Sequence, residues 1–271
     1  MTLPDGTAIL PATWQVLRHG PATGDWNMAV DAALLAHARA APSRMSRYGV
    51  WRTYGWSTPT VSFGRHERTR GRFDEASIAR AGFGAVRRPT GGRALMHARE
   101  VTYSATFPLP SSASWQAAYA AVNAVLVTGL AMLGVEATIV HGASATSVRP
   151  DGPLCFDAPA PGEIVVGAAK LVGSAVWRDR HAYLQHGSIL VHDDQHLLHD
   201  AACIPLPALP PAATLASCCV HVPSSSLVAD ALETALGQQF RVQRFVEPAG
   251  FDADIATRRA QMTRADWLWR R

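Results

Sequence analysis

The sequence predicts an α/β chain in which short strands, some paired antiparallel, alternate with helices. Three observations carry that expectation. Strand-like runs rich in aromatic and β-branched residues recur at 47–54, 60–63, 101–107 and 163–191. An alanine-rich stretch, 115–133, sets Tyr119, Val122, Val125, Leu126 and Leu130 along one face at helical spacing. Residues 176–180 and 183–191 alternate as two arms of a hairpin, with Arg178-Asp-Arg-His181 at the turn.

Taken in order, Pro21-Ala-Thr-Gly-Asp-Trp26 supplies turn and N-cap chemistry for a helix that runs to about Ala40, with Asp31 inside it. Strands 47–54 and 60–63 follow, separated by Gly55-Trp-Ser-Thr-Pro59. A short helix, 73–81, has Asp74 and Glu75 in its favourable first turn. Strand 101–107 precedes the long helix, Gly134 stops that helix, and a strand is expected at 135–140. Past Asp193, the proline-rich stretch 204–211 reads as a surface connection able to pack as a lid. A serine-capped helix at 224–239, a strand at 240–246 and a helix at 251–262 complete the pattern. The terminal tryptophans of Ala265-Asp-Trp-Leu-Trp269 are expected to dock on the body. The division expected is a catalytic unit at 14–246 with a helix and aromatic tail, 247–271, packed on it.

With 271 residues, 48% hydrophobic and 17% charged, the composition is globular and no apolar run nears the length that spans a bilayer. MTLPDGTAIL lacks the basic-then-apolar pattern of a secretory leader, and four unevenly spaced cysteines do not make a disulfide framework. A reducing cytoplasm is the expectation, with no membrane partner. The net charge of +4 is modest, but thirteen arginines fall between Arg39 and Arg99. That half is a candidate docking face for an acidic partner or an anionic ligand, against the plainer reading of a solvated surface. No nucleic-acid-binding pattern occurs. Cys218-Cys219-x-His221 lacks a second half with zinc spacing, so no metal is expected.

Of the 25 Lys and Arg residues, Lys170 alone is lysine. Arginine does not give up its proton at working pH, whereas a lysine that is desolvated or set beside another cation does. Lys170 sits between the runs Glu163-Ile-Val-Val166 and Leu171-Val172, and Gly173-Ser174 after it lets another group approach the backbone closely. Cys155, at the end of a turn-forming run, is a candidate nucleophile whose thiolate a nearby ammonium would stabilise. Arg87 and Arg88 enter the turn Thr90-Gly91-Gly92, where guanidinium and backbone N–H donors could surround a phosphate, a carboxylate or a thioester carbonyl. His186, beside Gly187, is within reach of a neighbouring site.

Arg87-Arg-Pro-Thr-Gly-Gly-Arg-Ala-Leu-Met-His97, Glu100-Val-Thr-Tyr-Ser104, Cys155-Phe-Asp-Ala-Pro159, Lys170-Leu-Val-Gly-Ser-Ala175 and Leu184-Gln-His-Gly-Ser-Ile-Leu190 together resemble the biotin/lipoate protein ligase superfamily. Within it the pattern looks most like the cysteine-dependent octanoyltransferases related to lipoate ligases. The resemblance implies a mixed, largely antiparallel curved sheet flanked by helices, with a small second sheet. It also implies transfer of an octanoyl or lipoyl group from acyl carrier protein to a lysine of a lipoyl-domain or glycine-cleavage H protein, with no cofactor required. Cys155 and Lys170 would be catalytic. Arg87, Arg88, Thr90, Gly91, Gly92, His97, Gly173, Ser174, His186 and Gly187 would bind substrate, and Val101, Leu171 and the long helix would line an eight-carbon slot. The alternative is an ATP- and Mg-dependent lipoate ligase. Another octanoyltransferase branch places its cysteine after the lysine, which gives Cys203 a minority claim. Arg93 and His66 depart from the ligase pattern.

Overall fold

The structure, a computed structural model, describes residues 10–40, 48–140 and 161–269. From the N-terminus come β1 (Thr13–Ala22), α1 (Gly24–Ala40), β2 (Tyr48–Trp56), β3 (Thr60–Phe63), α2 (Glu75–Arg80), β4 (Gly84–Arg87), β5 (Leu95–His97), β6 (Glu100–Pro108) and α3 (Trp115–Met132). Then follow β7 (Thr138–Ile139), β8 (Ile164–Val166), β9 (Ala169–Arg178), β10 (Ala182–Leu190), α4 (Leu198–Ala201), α5 (Leu215–Cys218), α6 (Ser225–Gly237), β11 (Arg241–Arg244), α7 (Phe251–Met262) and α8 (Ala265–Leu268).

Eight strands make a mixed sheet in the order β11-β1-β2-β6-β10-β9-β8-β7, and three make a small second sheet, β4-β3-β5. In the large sheet β1 runs parallel to β2 and β11, and the remaining pairs are antiparallel. This is the fold class expected from the sequence.

Strand alternation divides the large sheet into two unlike faces. On β10, Tyr183 and Ile189 join a core with Trp14, Trp51, Phe107, Val122 and Leu126 beneath α3 and α6. Leu184 and His186, between them, face α1: Leu184 packs with Leu35, and His186 meets Asp31. α1 lies between the two sheets, touching β6 and β10 on one side and β4 on the other. α7 covers it from outside, Phe251 and Ile255 packing on Ala29, Val30 and Leu34.

Caps fix several helix starts. Asp74 accepts from the Ser77 N–H (2.7 Å), Ser114 from Ala117 (3.3 Å) and Ser224 from Leu227 (3.2 Å). Past α3, Gly134 takes φ +78° and the Val135 N–H returns to the Leu130 carbonyl, so the chain is still closing the helix where a strand was expected. β7 is consequently two residues long. β1 escaped sequence reading because Gly20-Pro21 looks like a turn; the strand absorbs it through a register shift between Arg18 and Pro21. Gly55 and Trp56, expected in a turn, extend β2.

Two further expectations change. α3 is, among the described residues, long and apolar enough to cross a bilayer, contrary to the reading above, but Ala118, Val122, Val125, Leu126 and Leu130 are buried in the core. The proline-rich stretch 204–211 buries Leu206 with Val61, Phe63 and Phe73, so it closes the core of the small sheet. The terminal tryptophans do dock: Trp267 Nε1 donates to the Arg87 carbonyl (3.1 Å) and Trp269 packs on Phe63.

α3 and α6 approach through Gly129, where an added Cβ would come within 2.8 Å of Leu232 Cδ2 and 3.1 Å of Leu232 Cα. Gly129→Val is expected to force the helices apart and destabilise the fold by about 1–3 kcal/mol, checked by urea denaturation.

Candidate active site

A narrow cleft opens on the α1 face of the large sheet, between that sheet and the loop joining β4 to β5. Seven residues singled out from sequence line it: Arg88, Gly92, His97, Gly173, Ser174, His186 and Gly187. The motifs lie far apart in the chain, and the pairing of β10 with both β6 and β9 brings them together. His186 lies opposite Ala175, and Ser188 opposite Gly173. Small residues on β9 leave room above the strand.

Met28 from α1, Tyr54 from β2 and Leu95 from β5 also line the cleft, and the sequence reading missed all three. The slot lining expected from Val101 and Leu171 is corrected. Both are buried in the α3 core, on the opposite side of the sheet from α1, and α3 takes no part in the cleft.

Beneath the cleft lies Asp31, fully buried. Its Oδ1 accepts from Arg52 Nη1 (2.8 Å) and Ser104 Oγ (2.9 Å), and its Oδ2 accepts from the Tyr54 hydroxyl (3.0 Å) and faces His186 Nδ1 (3.0 Å). Burial works against ionisation of this carboxyl, but Arg52 and His186 prevail and hold it down to about 2. Burial pushes His186 below the ordinary imidazole range, more strongly than Asp31 lifts it. A neutral His186 then donates from Nδ1 to Asp31 and accepts at Nε2 from the Thr90 hydroxyl, 2.6 Å away. Arg52 donates Nε to His19 Nδ1 (3.0 Å) and its other arm to the Asn27 side chain (2.9 Å). Burial, then Arg52, lower His19 to about 4.

A second buried network braces the other wall. Glu100 Oε1 accepts from Thr102 Oγ1 (2.6 Å) and Ser188 Oγ (2.8 Å) and lies 2.8 Å from His97 Nδ1. His97 stacks on Trp56 at 3.9 Å, and its Nε2 meets Ser62 Oγ at 2.6 Å. Arg88 donates to Ser62 and also to the carbonyls of Gly91 and Arg93 (both 3.0 Å), which ties the glycine loop to β3.

Arg87 departs from its expected role. It is fully buried, and its guanidinium donates to the carbonyls of Gly64, Glu67 and Leu268, so it anchors the backbone and the C-terminal tail outside the cleft lining. Thr90 and Gly91 support the loop behind Gly92. The arginine-rich half is not wholly a surface either, since Arg52, Arg87 and Arg88 are interior.

Lys170 is buried inside β9, and its Nζ donates to Glu163 Oε1 (2.6 Å). The turn preceding it is made at Gly167, φ +59°, so Lys170 belongs to the strand rather than to a connection. Gly173, in the cleft wall, follows three residues later. Cys155 lies outside the described residues. Cys203 is exposed, its N–H bonded to the Arg72 carbonyl.

Fold and cleft together define the class. The lipoyl protein ligase A/B catalytic domain matches residues 24–245, and the chain belongs to that family. Among relatives, it is 40% identical to an octanoyltransferase LipM of Kyrpidia tusciae over 196 residues, 69% of each chain. It is 35% identical to an octanoyltransferase LipM of Staphylococcus aureus over 197 residues, again 69% of each. Among solved structures, a bipartite lipoate protein ligase from Thermoplasma acidophilum superposes with a TM-score of 0.75 at 16% identity, covering 95% of this chain and 96% of that one. Lipoate-protein ligase A bound with ATP gives 0.75 at 16% identity, covering 96% and 99%.

Two tests follow from this geometry. His19 titrates near 4 in the folded protein against an ordinary 6.5, so it favours folding above 6.5 and that contribution is lost as pH falls from 6.5 to 4. Asp31, held near 2 against 3.8, loses its contribution between those values. Melting temperature should therefore fall on acidification from pH 6.5, and His19→Gln should flatten the decline between 6.5 and 4. At Gly64, an added Cβ would collide with the Gly92 carbonyl. Gly64→Ala is expected to displace the loop at a cost of about 1–3 kcal/mol and to speed hydrogen exchange of the Gly91 and Gly92 amides.

Proposed function

We infer that this octanoyltransferase works by ping-pong acyl transfer, with an octanoyl thioester of acyl carrier protein as donor and a lysine of a lipoyl-domain or glycine-cleavage H protein as acceptor. The observation that carries the reading is the cleft: a narrow slot walled by the small residues of β9, the strand that also carries the chain's one lysine, and closed by a glycine loop. The octanoyltransferase relatives support the acyl group, and the shared family supports the acceptor class.

In this mechanism the Cys155 thiolate attacks the donor carbonyl, the carrier's thiolate departs, and the octanoyl group rests on Cys155 as a thioester. The neutral amine of the acceptor lysine then attacks that thioester. An amide forms, the carbon–sulfur bond breaks, and the amine's proton returns to the Cys155 sulfur by way of Lys170. Lys170, on the same strand as Gly173, favours the thiolate and polarises the acyl carbonyl. Gly91, Gly92 and the backbone near Gly173 give room and N–H donors to the oxyanion. Met28, Tyr54 and Leu95 contact the chain, and at about 0.8 kcal/mol per buried methylene a slot of fixed depth selects its length. The donor is already activated, so neither ATP nor Mg²⁺ is needed.

Incubated with octanoyl-acyl carrier protein without ATP, the protein should gain one octanoyl group by intact mass, and Cys155→Ala should abolish the adduct. Lys170→Arg keeps a charge but gives up no proton, and should slow transfer by roughly 100-fold. Lipoylation of an acceptor that appears only with ATP would replace this reading with that of a lipoate ligase. An adduct abolished by Cys203→Ala instead would move the nucleophile.

A further inference from the structure

Behind the cleft, Asp31, His186 and Thr90 form a line of hydrogen bonds that reaches the glycine loop. We propose that Asp31 is a positioning residue which, through the tautomer it imposes on His186, holds Thr90 and so sets where Gly91 and Gly92 meet the acyl group. The proposal rests on the reading of the cleft as the acyl site.

Four side chains converge on the Asp31 carboxylate, and three of them, Arg52, Tyr54 and Ser104, can only donate to it. An ionised carboxylate with its surroundings already full of donors compels the fourth partner to donate as well. His186 must therefore carry its proton on Nδ1, which leaves Nε2 with a lone pair and makes the Thr90 hydroxyl the donor across 2.6 Å. His186, Thr90 and Asp31 are all buried, so water does not offer Thr90 an alternative. Thr90 is also held by its carbonyl, which accepts from the Arg65 N–H at 2.8 Å. Pinned at both points, it passes its position to the next two residues. Arg88 holds the far end of the same turn through the Gly91 and Arg93 carbonyls.

Asparagine at position 31 is the diagnostic change. Its amide keeps the shape but presents one acceptor oxygen where the carboxylate presented two. If its N–H₂ faces His186, the imidazole must accept at Nδ1 and carry its proton on Nε2, as when the aspartate behind a catalytic histidine is replaced by asparagine and geometry survives with the wrong tautomer. Thr90 would then have to accept rather than donate.

The test reads the tautomer and the rate separately. Ring ¹⁵N shifts of His186 in the wild-type protein are expected to show a neutral ring protonated at Nδ1 between pH 7 and 8, and those of Asp31→Asn a ring protonated at Nε2. Octanoyl transfer from octanoyl-acyl carrier protein should fall by about tenfold or more in Asp31→Asn and Thr90→Val, and Thr90→Ser, which keeps the hydroxyl, should restore it to within about threefold of wild type. The fall should appear in kcat, with melting of Thr90→Val and Thr90→Ser compared to exclude unfolding. A wild-type ring protonated at Nε2, or a folded Thr90→Val with undiminished kcat, would overturn the proposal. Absence of any transfer by the wild-type protein would instead remove the acyl reading while the ring shifts still report on Asp31; and if Asp31→Asn does not fold, the threonine pair decides.

Discussion

The constraint on which the rest of the structure depends is the burial of one ion pair, Asp31 with Arg52, between the large sheet and α1. Neither side chain has access to solvent. Desolvating two charges is expensive, and their attraction repays it only when the remaining donors and acceptors are also matched. Here they are. Arg52 is bonded to Asp31, to the Asn27 side chain and carbonyl, and to His19, and its guanidinium lies 3.8 Å from the centre of the Tyr54 ring. Since Asn27 and Asp31 belong to α1 and Arg52 and Tyr54 to β2, the pair fixes the helix at one height and rotation above the sheet. The cleft is the space left beside that fixed helix.

The two faces of the large sheet consequently do different work. Toward α3, Trp14, Trp51, Tyr103 and Phe107 pack edge and face against one another and against Leu126, and apolar burial supplies the stability. Toward α1, the same strands present Glu100, Thr102, Ser104, His186 and Ser188, and these are largely matched by one another and by the small sheet, Glu100 Oε2 alone of them lacking a hydrogen-bond partner among the described residues. In a polar floor of this kind each orphaned donor or acceptor bears its full desolvation penalty, so the bonds that are made must be kept. That requirement makes the floor rigid, which is what a site needs when its reacting atoms must be held to a fraction of an ångström.

Much of this was legible in the chain itself, and the exceptions have physical reasons. The long helix, the hairpin of β9 and β10, and the glycine loop between two arginines could be read because each is a local pattern. Gly92 was read from a Thr-Gly-Gly turn, Gly173 and His186 from small and titratable residues in strand-like runs, and His97 from the family resemblance. Met28, Tyr54 and Leu95 look like ordinary core residues, and no local signal separates a side chain that lines a slot from one that fills a core. Val101 and Leu171 were misassigned to the slot for the same reason: alternation shows that two faces exist without showing which one carries the site. Arg87 and Arg88 are adjacent and chemically identical, yet one anchors the C-terminal tail and the other faces the cleft. A signal for Asp31 was present in Met28-Ala-Val-Asp-Ala-Ala-Leu-Leu35, where one carboxylate interrupts an apolar run. A charge in such a setting must have a buried partner, and Arg52 within Val50-Trp-Arg-Thr-Tyr54 has the same character.

Arginine and lysine are divided in this molecule by what each position demands. Where a cation must stay charged and satisfy several acceptors at once, as at Arg52, Arg87 and Arg88, the planar five-donor fork is required, and a lysine would leave carbonyls unbonded. Position 170 differs. A compact ammonium lies within β9 and donates to the Glu163 carboxylate. The one position where this chain departs from arginine is thus occupied by a compact, three-donor ammonium rather than a planar fork.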